Sequence, residues 1–323
     1  MTISIITAYY NGRRFLEGYI KMIMRNVKSI RESDIGHVGV EAILVNDSPD
    51  DGLTIEDIEA ISKRVLSDKC TFFIIKNSLL IEFGDESVMI RLLTNESNMG
   101  IHASRVRGFK ESIGDYIIFI DQDDLLSRNA LATYAANVSS SAEVLVANAA
   151  LGQVDGYLKW YRSKYHADKI GDLDTYVDVG IQIISPGHTC ISRMAIPNEW
   201  LEYICVNNGA DDYFLWLLMI ASGVSFKYID KVLYLHAYTG DNLSHDTTIT
   251  DTSTYEFCDY LEEIPYFPDK YVRKLKRMIN YKADFRAGSL IDKGLSSLRN
   301  IDILTANAVY KYRSGTPLGF NRQ

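Results

Sequence analysis

Along the first half of the chain, short β-branched and aliphatic runs alternate with stretches in which apolar residues recur every three or four positions. Strand-like runs at 3–7 and 41–46 are each followed by a helix-period segment, at 14–30 and 55–66. A third strand falls at Thr71–Ile75 or at 88–93; then come a helix over 100–113, a strand over 115–120, a helix over 127–138 and a strand over 143–148. Such alternation predicts an α/β fold with a mostly parallel sheet and helices on both faces. From 151 to about 185 the pattern loosens, as in YLKWYRSKYH, and reads as an irregular insertion over the sheet edge that ends in the strand-like VGIQIIS (179–185). The apolar segment 213–224 is too short to span a bilayer and reads as a buried helix.

The segment 269–299 differs in character. It holds nine Lys or Arg against three Asp, and Tyr271, Leu275, Met278 and Ile279 recur at helical spacing among the charges. One or two helices outside the core are expected, with two readings of the apolar stripe: peripheral contact with an anionic membrane, or docking on the core with the charges solvated.

Composition narrows the classes. At 323 residues and 47% hydrophobic content the chain can bury one large core, alone or with a C-terminal extension. A net charge of -8 and a pI near 5.3 argue against a nucleic-acid binder that works by whole-surface attraction. Cys70, Cys190, Cys205 and Cys258 form no C-x-x-C pair, so a zinc site or disulfide framework is not indicated and a reducing compartment is the simplest reading. The opening MTISIITAYYNG has no signal-peptide pattern, and a soluble or peripheral, cytoplasmic protein is expected.

In open α/β sheets, ligands bind beyond the carboxyl ends of the strands. The first run ends in Thr7-Ala8-Tyr9-Tyr10-Asn11-Gly12, the second in Asn46-Asp47-Ser48-Pro49-Asp50-Asp51-Gly52, and the run Ile118-Phe119-Ile120 in Asp121-Gln122-Asp123-Asp124. Three carboxylates within four positions repel unless a cation or a proton compensates them. Residues i and i+2 of an extended segment point the same way, so Asp121 and Asp123 can share Mg2+ or Mn2+, with substrate phosphates and water as further ligands. Asp124 then points elsewhere, capping a helix or holding water. The competing reading is a plain turn before a helix N-cap, and a D-x-D alone does not choose between them.

The stretch NMGIHASRVRGFKESIGDYIIFIDQDD, 98–124, resembles the central signature of the family-2 glycosyltransferases. TAYYNG resembles that family's Tyr-Asn element, VNDSPDDG its Asp-containing turn, and GADDYFLWLLMIASG (209–223) its acidic pair opening a helix. Four departures bear on base contacts and donor identity: no Pro precedes the Tyr-Asn, Ser48-Pro49 replaces Gly-Ser, Val106 stands where Asn commonly follows the helix Arg, and Asp211-Asp212 replaces Glu-Asp. The resemblance implies a GT-A fold over 1–245, with a nucleotide-binding half 1–125, an acceptor or catalytic half 126–245, and a mainly helical extension 246–323. It also implies metal-assisted, inverting transfer of a hexosyl or N-acetylhexosaminyl group from a UDP-sugar to a growing bacterial surface glycan, free or lipid-linked.

Roles follow from the same resemblance. Asp47 accepts from an imide N–H such as that of uracil, Tyr10 or Tyr9 packs on the base, Thr7 lines its rim, and Asn11 and Gln122 add nucleotide-sugar contacts. Arg105 pairs with Asp121 or contacts the nucleotide; the resemblance favours the nucleotide, while Arg107 reads as a solvated-face charge. Asp123 is the main metal ligand, and Asp121 bonds the ribose and reaches the metal directly or through water. His236, or His245, closes over the diphosphate, His236 as a metal or phosphate ligand, and His188 faces the donor or acceptor sugar. Asp212, or Asp211, at a helix start is the base. Two other classes compete. A nucleotidyltransferase would carry a Gly-rich phosphate loop where TAYYNGRR has one Gly, and a non-catalytic nucleotide-sugar binder would have little use for Asp121, Asp123, Asp211 and Asp212 together.

Overall fold

The run after Met1 forms β1 (Thr2–Tyr9), buried almost throughout, and α1 (Arg13–Arg31) follows it. In this computed structural model residues 1–66, 69–139, 142–153, 156–237 and 247–316 are described. The chain continues as β2 (Gly39–Asn46), α2 (Ile55–Val65), β3 (Thr71–Ile75), β4 (Ser78–Phe83), β5 (Glu86–Thr94), α3 (Ile101–Glu111), β6 (Tyr116–Phe119), β7 (Leu125–Leu126), α4 (Ala130–Asn137), β8 (Val144–Gln153) and β9 (Gly156–Lys159). Then come α5 (Lys164–Ala167), α6 (Leu173–Asp178), β10 (Thr189–Ser192), α7 (Asn198–Glu202), α8 (Asp211–Ala221), β11 (Phe226–His236), α9 (Thr247–Glu263), α10 (Asp269–Ala287), α11 (Leu290–Arg299) and α12 (Ile301–Ser314).

These elements divide into two compact units that interleave in sequence. The first comprises Met1–Trp160, Ser185–Ile196 and Phe226–Gly240, the second Tyr161–Ile184, Pro197–Ser225 and Asp241–Gln323. The expected boundary at 245 falls outside the described residues.

The first unit contains the sheet, in the order β3-β4-β5-β2-β1-β6-β10-β8-β11-β7, with β9 on β8. Its centre, β5-β2-β1-β6, is parallel, with Ile5 registered on Ala42 and on Ile118. Strands covered on both faces read as continuous apolar runs, which is why β1 and β2 do not alternate. The sheet is mixed: β10 enters antiparallel between β6 and β8, and β3 and β4 form a hairpin on β5. Both candidates for the third strand are therefore strands. Helix α3 lies against β1 and β2 at Gly108, where a Cβ would stand 2.4 Å from Ile6 Cγ2. Asn26, buried on α1, accepts from Leu131 N (3.1 Å) and so supports the start of α4.

The loosened region 151–185 resolves differently from the expectation. β8 runs on to Gln153 and β9 returns along it, and Tyr161–Ile184 belongs to the second unit with α5 and α6. The expected strand at 179–185 is absent. Tyr161 donates to the Gln182 carbonyl (3.0 Å), Tyr310 to Gln182 Oε1 (2.6 Å), and Gln182 Nε2 to the Gly180 carbonyl (2.7 Å), so side chains replace a strand ladder.

The second unit is helical. Helix α8 buries Phe214, Trp216, Leu217 and Leu218, and Phe214 stacks on Phe257 of α9 with centroids 4.9 Å apart. Helix α10 buries Val272, Leu275, Met278 and Ile279, and Lys276 bonds Asp259 (2.7 Å) and Glu262 (2.8 Å) on α9. The stripe on α10 is thus a packing surface, which corrects the membrane reading for that helix. Among the described residues, no helix is long and apolar enough to cross a membrane.

Candidate active site

The carboxyl ends of β1 and β6 are tied together by one side chain. Gln122 Oε1 accepts from Tyr10 N (3.0 Å), and Gln122 Nε2 donates to the Tyr10 carbonyl (2.9 Å). Gly12 allows this approach, since a Cβ there would lie 2.0 Å from Gln122 Oε1. Asn11 adopts a left-handed φ of 45°, and its N–H donates to Ser48 Oγ (2.9 Å) at the end of β2. Tyr10 is 51% exposed and Tyr9 fully buried, its hydroxyl on Asp51, so only Tyr10 offers a ring face to a ligand. Thr7 is also fully buried, with its hydroxyl on Tyr19 (3.3 Å).

Asp47 organises the neighbouring loop. Its Oδ1 accepts from Asn95 Nδ2 (2.6 Å) and Met99 N (2.7 Å), and its Oδ2 from Gly100 N (2.8 Å) where α3 begins. Asn95 Oδ1 in turn accepts from Arg107 (2.6 Å), which also reaches the Thr94 carbonyl (2.7 Å). Arg107 therefore braces this loop and is not the solvated charge expected from sequence. Asn95 was not singled out by sequence; the only local signal was its place just beyond an apolar run.

The acidic turn is compensated unevenly. Buried Arg105 forms an ion pair with Asp121 (2.6 Å), the alternative to a nucleotide contact that the sequence left open. Asp124 is 1% exposed and accepts from the Tyr234 hydroxyl, Ala237 N (2.9 Å) and His236 Nδ1 (3.1 Å). It neither caps a helix nor faces water; it anchors the end of β11. Burial raises the Asp124 pKa, and although burial alone would lower that of His236, Asp124, Asp121 and Asp123 together raise it. Asp123 is part-exposed and within electrostatic reach of His236.

His188 is fully buried, with Nδ1 2.8 Å from the Ala147 carbonyl and its ring stacked on Tyr234. A ring with no exposed surface cannot face a sugar, which corrects that expectation. His245 lies outside the described residues. In the second unit, Asp211 and Asp212 open α8: Asp211 is buried, its carbonyl accepting from Trp200 Nε1 (2.8 Å), and part-exposed Asp212 accepts from Tyr213 N (2.7 Å).

Parallel strands that deliver an Asp-x-Asp turn to their carboxyl edge, in a mixed sheet flanked by helices, form the GT-A architecture of nucleotide-sugar-dependent glycosyltransferases. The chain belongs to Glycosyl transferase family 2, whose family model matches residues 4–198. A search of curated proteins returns no match. Among solved structures, S. aureus TarS 1-349 in complex with UDP-GlcNAc is similar with a TM-score of 0.56 at 12% identity, over 97% of this chain and 84% of that one. TarS 1-349 in a second structure gives 0.54 at 14% identity over 97% and 83%. The mannosyltransferase PcManGT from Pyrobaculum calidifontis, in complex with GDP-Man and Mn2+, gives 0.52 at 12% identity over 99% and 88%. At these identities the likeness establishes the fold.

Proposed function

We propose that the protein transfers a hexosyl or N-acetylhexosaminyl group from a UDP-sugar to a hydroxyl of a growing surface glycan, free or lipid-linked, at the cytoplasmic face of the cell membrane. The observation that carries this reading is the arrangement of the acidic turn: Arg105 pairs with Asp121, buried donors hold Asp124, and Asp123 is part-exposed and within electrostatic reach of His236.

A carboxylate and an imidazole suit Mn2+ or Mg2+. Among the described residues no three His, Cys, Asp or Glu converge on one point, so diphosphate oxygens and water would complete the coordination of Asp123 and His236. When bound, such an ion stabilises the charge growing on the leaving diphosphate. Asp47 supports a uracil base: three of the roughly four lone-pair positions of a carboxylate are already taken. With Asp47 4% exposed, at most one position is left for the single imide N–H of uracil, fewer than the two adjacent donors of guanine need. Tyr10 supplies the exposed ring for stacking. Asp212 takes the acceptor hydroxyl's proton as the oxygen bonds to the anomeric carbon and the bond to the diphosphate breaks, which inverts the centre.

A thermal-shift titration with UDP- and GDP-sugars, with and without Mn2+, tests the donor and metal, since a ligand at 100 times its Kd adds about 2.7 kcal/mol. Stabilisation by UDP-sugars that requires Mn2+ and is lost in Asp123→Ala, with that variant's own melting unchanged, is expected. NMR coupling constants of the product should show inversion, and Asp212→Asn should bind donor yet lose most of its rate. Equal stabilisation of Asp123→Ala, or a product with the donor's configuration, would refute the reading.

A further inference from the structure

Helix α11 inverts the usual order of burial. Its inner side, against α10, is polar: buried Ser296 donates to Asp284 (3.2 Å), and Asn300, buried at the C-terminal end, donates to the Ser296 carbonyl (2.8 Å). Its outer side is apolar, with Leu290 88%, Ile291 75% and Leu298 68% exposed and Leu295 about half exposed. Ile291, Leu295 and Leu298, at spacings of four and three, form one stripe. A capping box between Ser289 and Asp292 fixes where the helix starts and so which side each residue takes. Helix α12 extends the surface: Ile303 and Tyr310 face inward, while Ile301 and Tyr312 stand outside. Exposed Phe285 of α10 lies under the Lys293 ammonium, 5.6 Å from its ring centroid.

A contiguous exposed apolar face of this kind marks a binding surface. The charge around it indicates the partner. Residues 290–316 hold four Lys or Arg against two Asp, a net of +2 in a chain of net charge -8, while the α10 cations Lys274, Lys276, Arg277, Lys282 and Arg286 are ion-paired with Asp178, Asp259, Glu262, Asp302 and Asp251. Lys293 and Arg299 lie on α11 itself, and Lys311 and Arg313 on the last turn of α12. A second copy would meet its own face across a two-fold axis and set this positive segment against itself. Helices of ten and fourteen residues, about 15 and about 21 Å long and about 10 Å wide, offer together on the order of 360 Å². A stable protein interface takes about 800 Å² from each partner. An anionic lipid surface fits both features, because Lys and Arg reach the headgroups while Leu and Ile enter the acyl boundary. We infer that α11, with the start of α12, is a membrane-docking face that lies flat on an anionic bilayer with Ile291, Leu295 and Leu298 inserted. The inference does not rest on the donor, metal or base proposed above.

Co-sedimentation of the full chain with phosphatidylcholine vesicles, pure or mixed equally with phosphatidylglycerol, tests it. Two variants are compared: Ile291→Glu/Leu295→Glu/Leu298→Glu, and Lys293→Glu/Arg299→Glu. Wild type should pellet with the anionic vesicles alone, less so at high salt, and each variant should lower binding about tenfold. Circular dichroism and melting should not change, because the altered side chains are exposed or part-exposed; were the triple variant to lose helicity, the charge-reversal variant decides on the same criterion. Wild type that stays in the supernatant at low salt overturns the inference, as does a triple variant that still pellets. A concentration-dependent dimer in sedimentation velocity, abolished by the triple variant, also overturns it and assigns the face to a second copy.

Discussion

His188 shows how burial decides an ionisation state. Fully buried, with Nδ1 donating to the Ala147 carbonyl, its imidazole is pushed down to about 4 by the loss of hydration. In the unfolded chain the same group titrates near 6.5. Between those values the unfolded chain binds the extra proton, so the stability His188 contributes at neutral pH is lost as pH falls from about 6.5 to about 4, by about 3 kcal/mol. His188→Gln should flatten the decline of urea-denaturation stability over that window, and an unchanged slope would refute the assignment. What sequence could show at this scale was residue type and local spacing. The carboxylates Asp121, Asp123 and Asp124 were visible as a cluster, but Asp124 finds Tyr234 and Ala237 more than a hundred positions along the chain. The same limit hid the triple hold on Asp47, whose donors come from Asn95, Met99 and Gly100.

Among elements, the join between the ends of β1 and β6 makes a coupled prediction. Gly12→Ala drives a methyl into Gln122 Oε1, and moving that side chain sacrifices its two bonds to the Tyr10 backbone. The substitution should cost about 1–2 kcal/mol in wild type, at about 1 kcal/mol per bond, and under about 0.5 kcal/mol in a Gln122→Ala background. Additive costs in a chemical-denaturation double-mutant cycle would show that the two residues act apart. Hydrophobic period made most strands and helices legible because it reports which residues must leave water. It could not report which neighbour covers them. VGIQIIS has strand chemistry but finds its hydrogen bonds in Tyr161 and Tyr310, and the stripes of α10 and α11 look alike in sequence although only that of α10 is buried.

At the scale of the whole molecule, residues beyond 268 belong to the second unit and help to form its core. Removing them strips Val272, Leu275, Met278 and Ile279 from that core, about 6–12 kcal/mol at about 1.5–3 kcal/mol per side chain. That is comparable to the whole stability of a domain, about 5–15 kcal/mol. A chain ending at residue 268 should therefore lose near-UV circular dichroism and be cut by protease within 161–184 and 197–225, mapped by mass spectrometry. Wild-type melting of the truncated chain would contradict this. The interleaving of the units also bears on synthesis. Strand β8 sits between β10 and β11, and both emerge from the ribosome after it. At about 5–20 residues per second, the roughly 70 residues between the end of β8 and the start of β11 take about 4–14 seconds. Throughout that interval Val144, Leu145, Val146 and Ala147, fully buried in the finished sheet, belong to a nascent strand that still lacks a neighbour. The growing chain thus passes through a period in which that edge is open to pairing with another polypeptide.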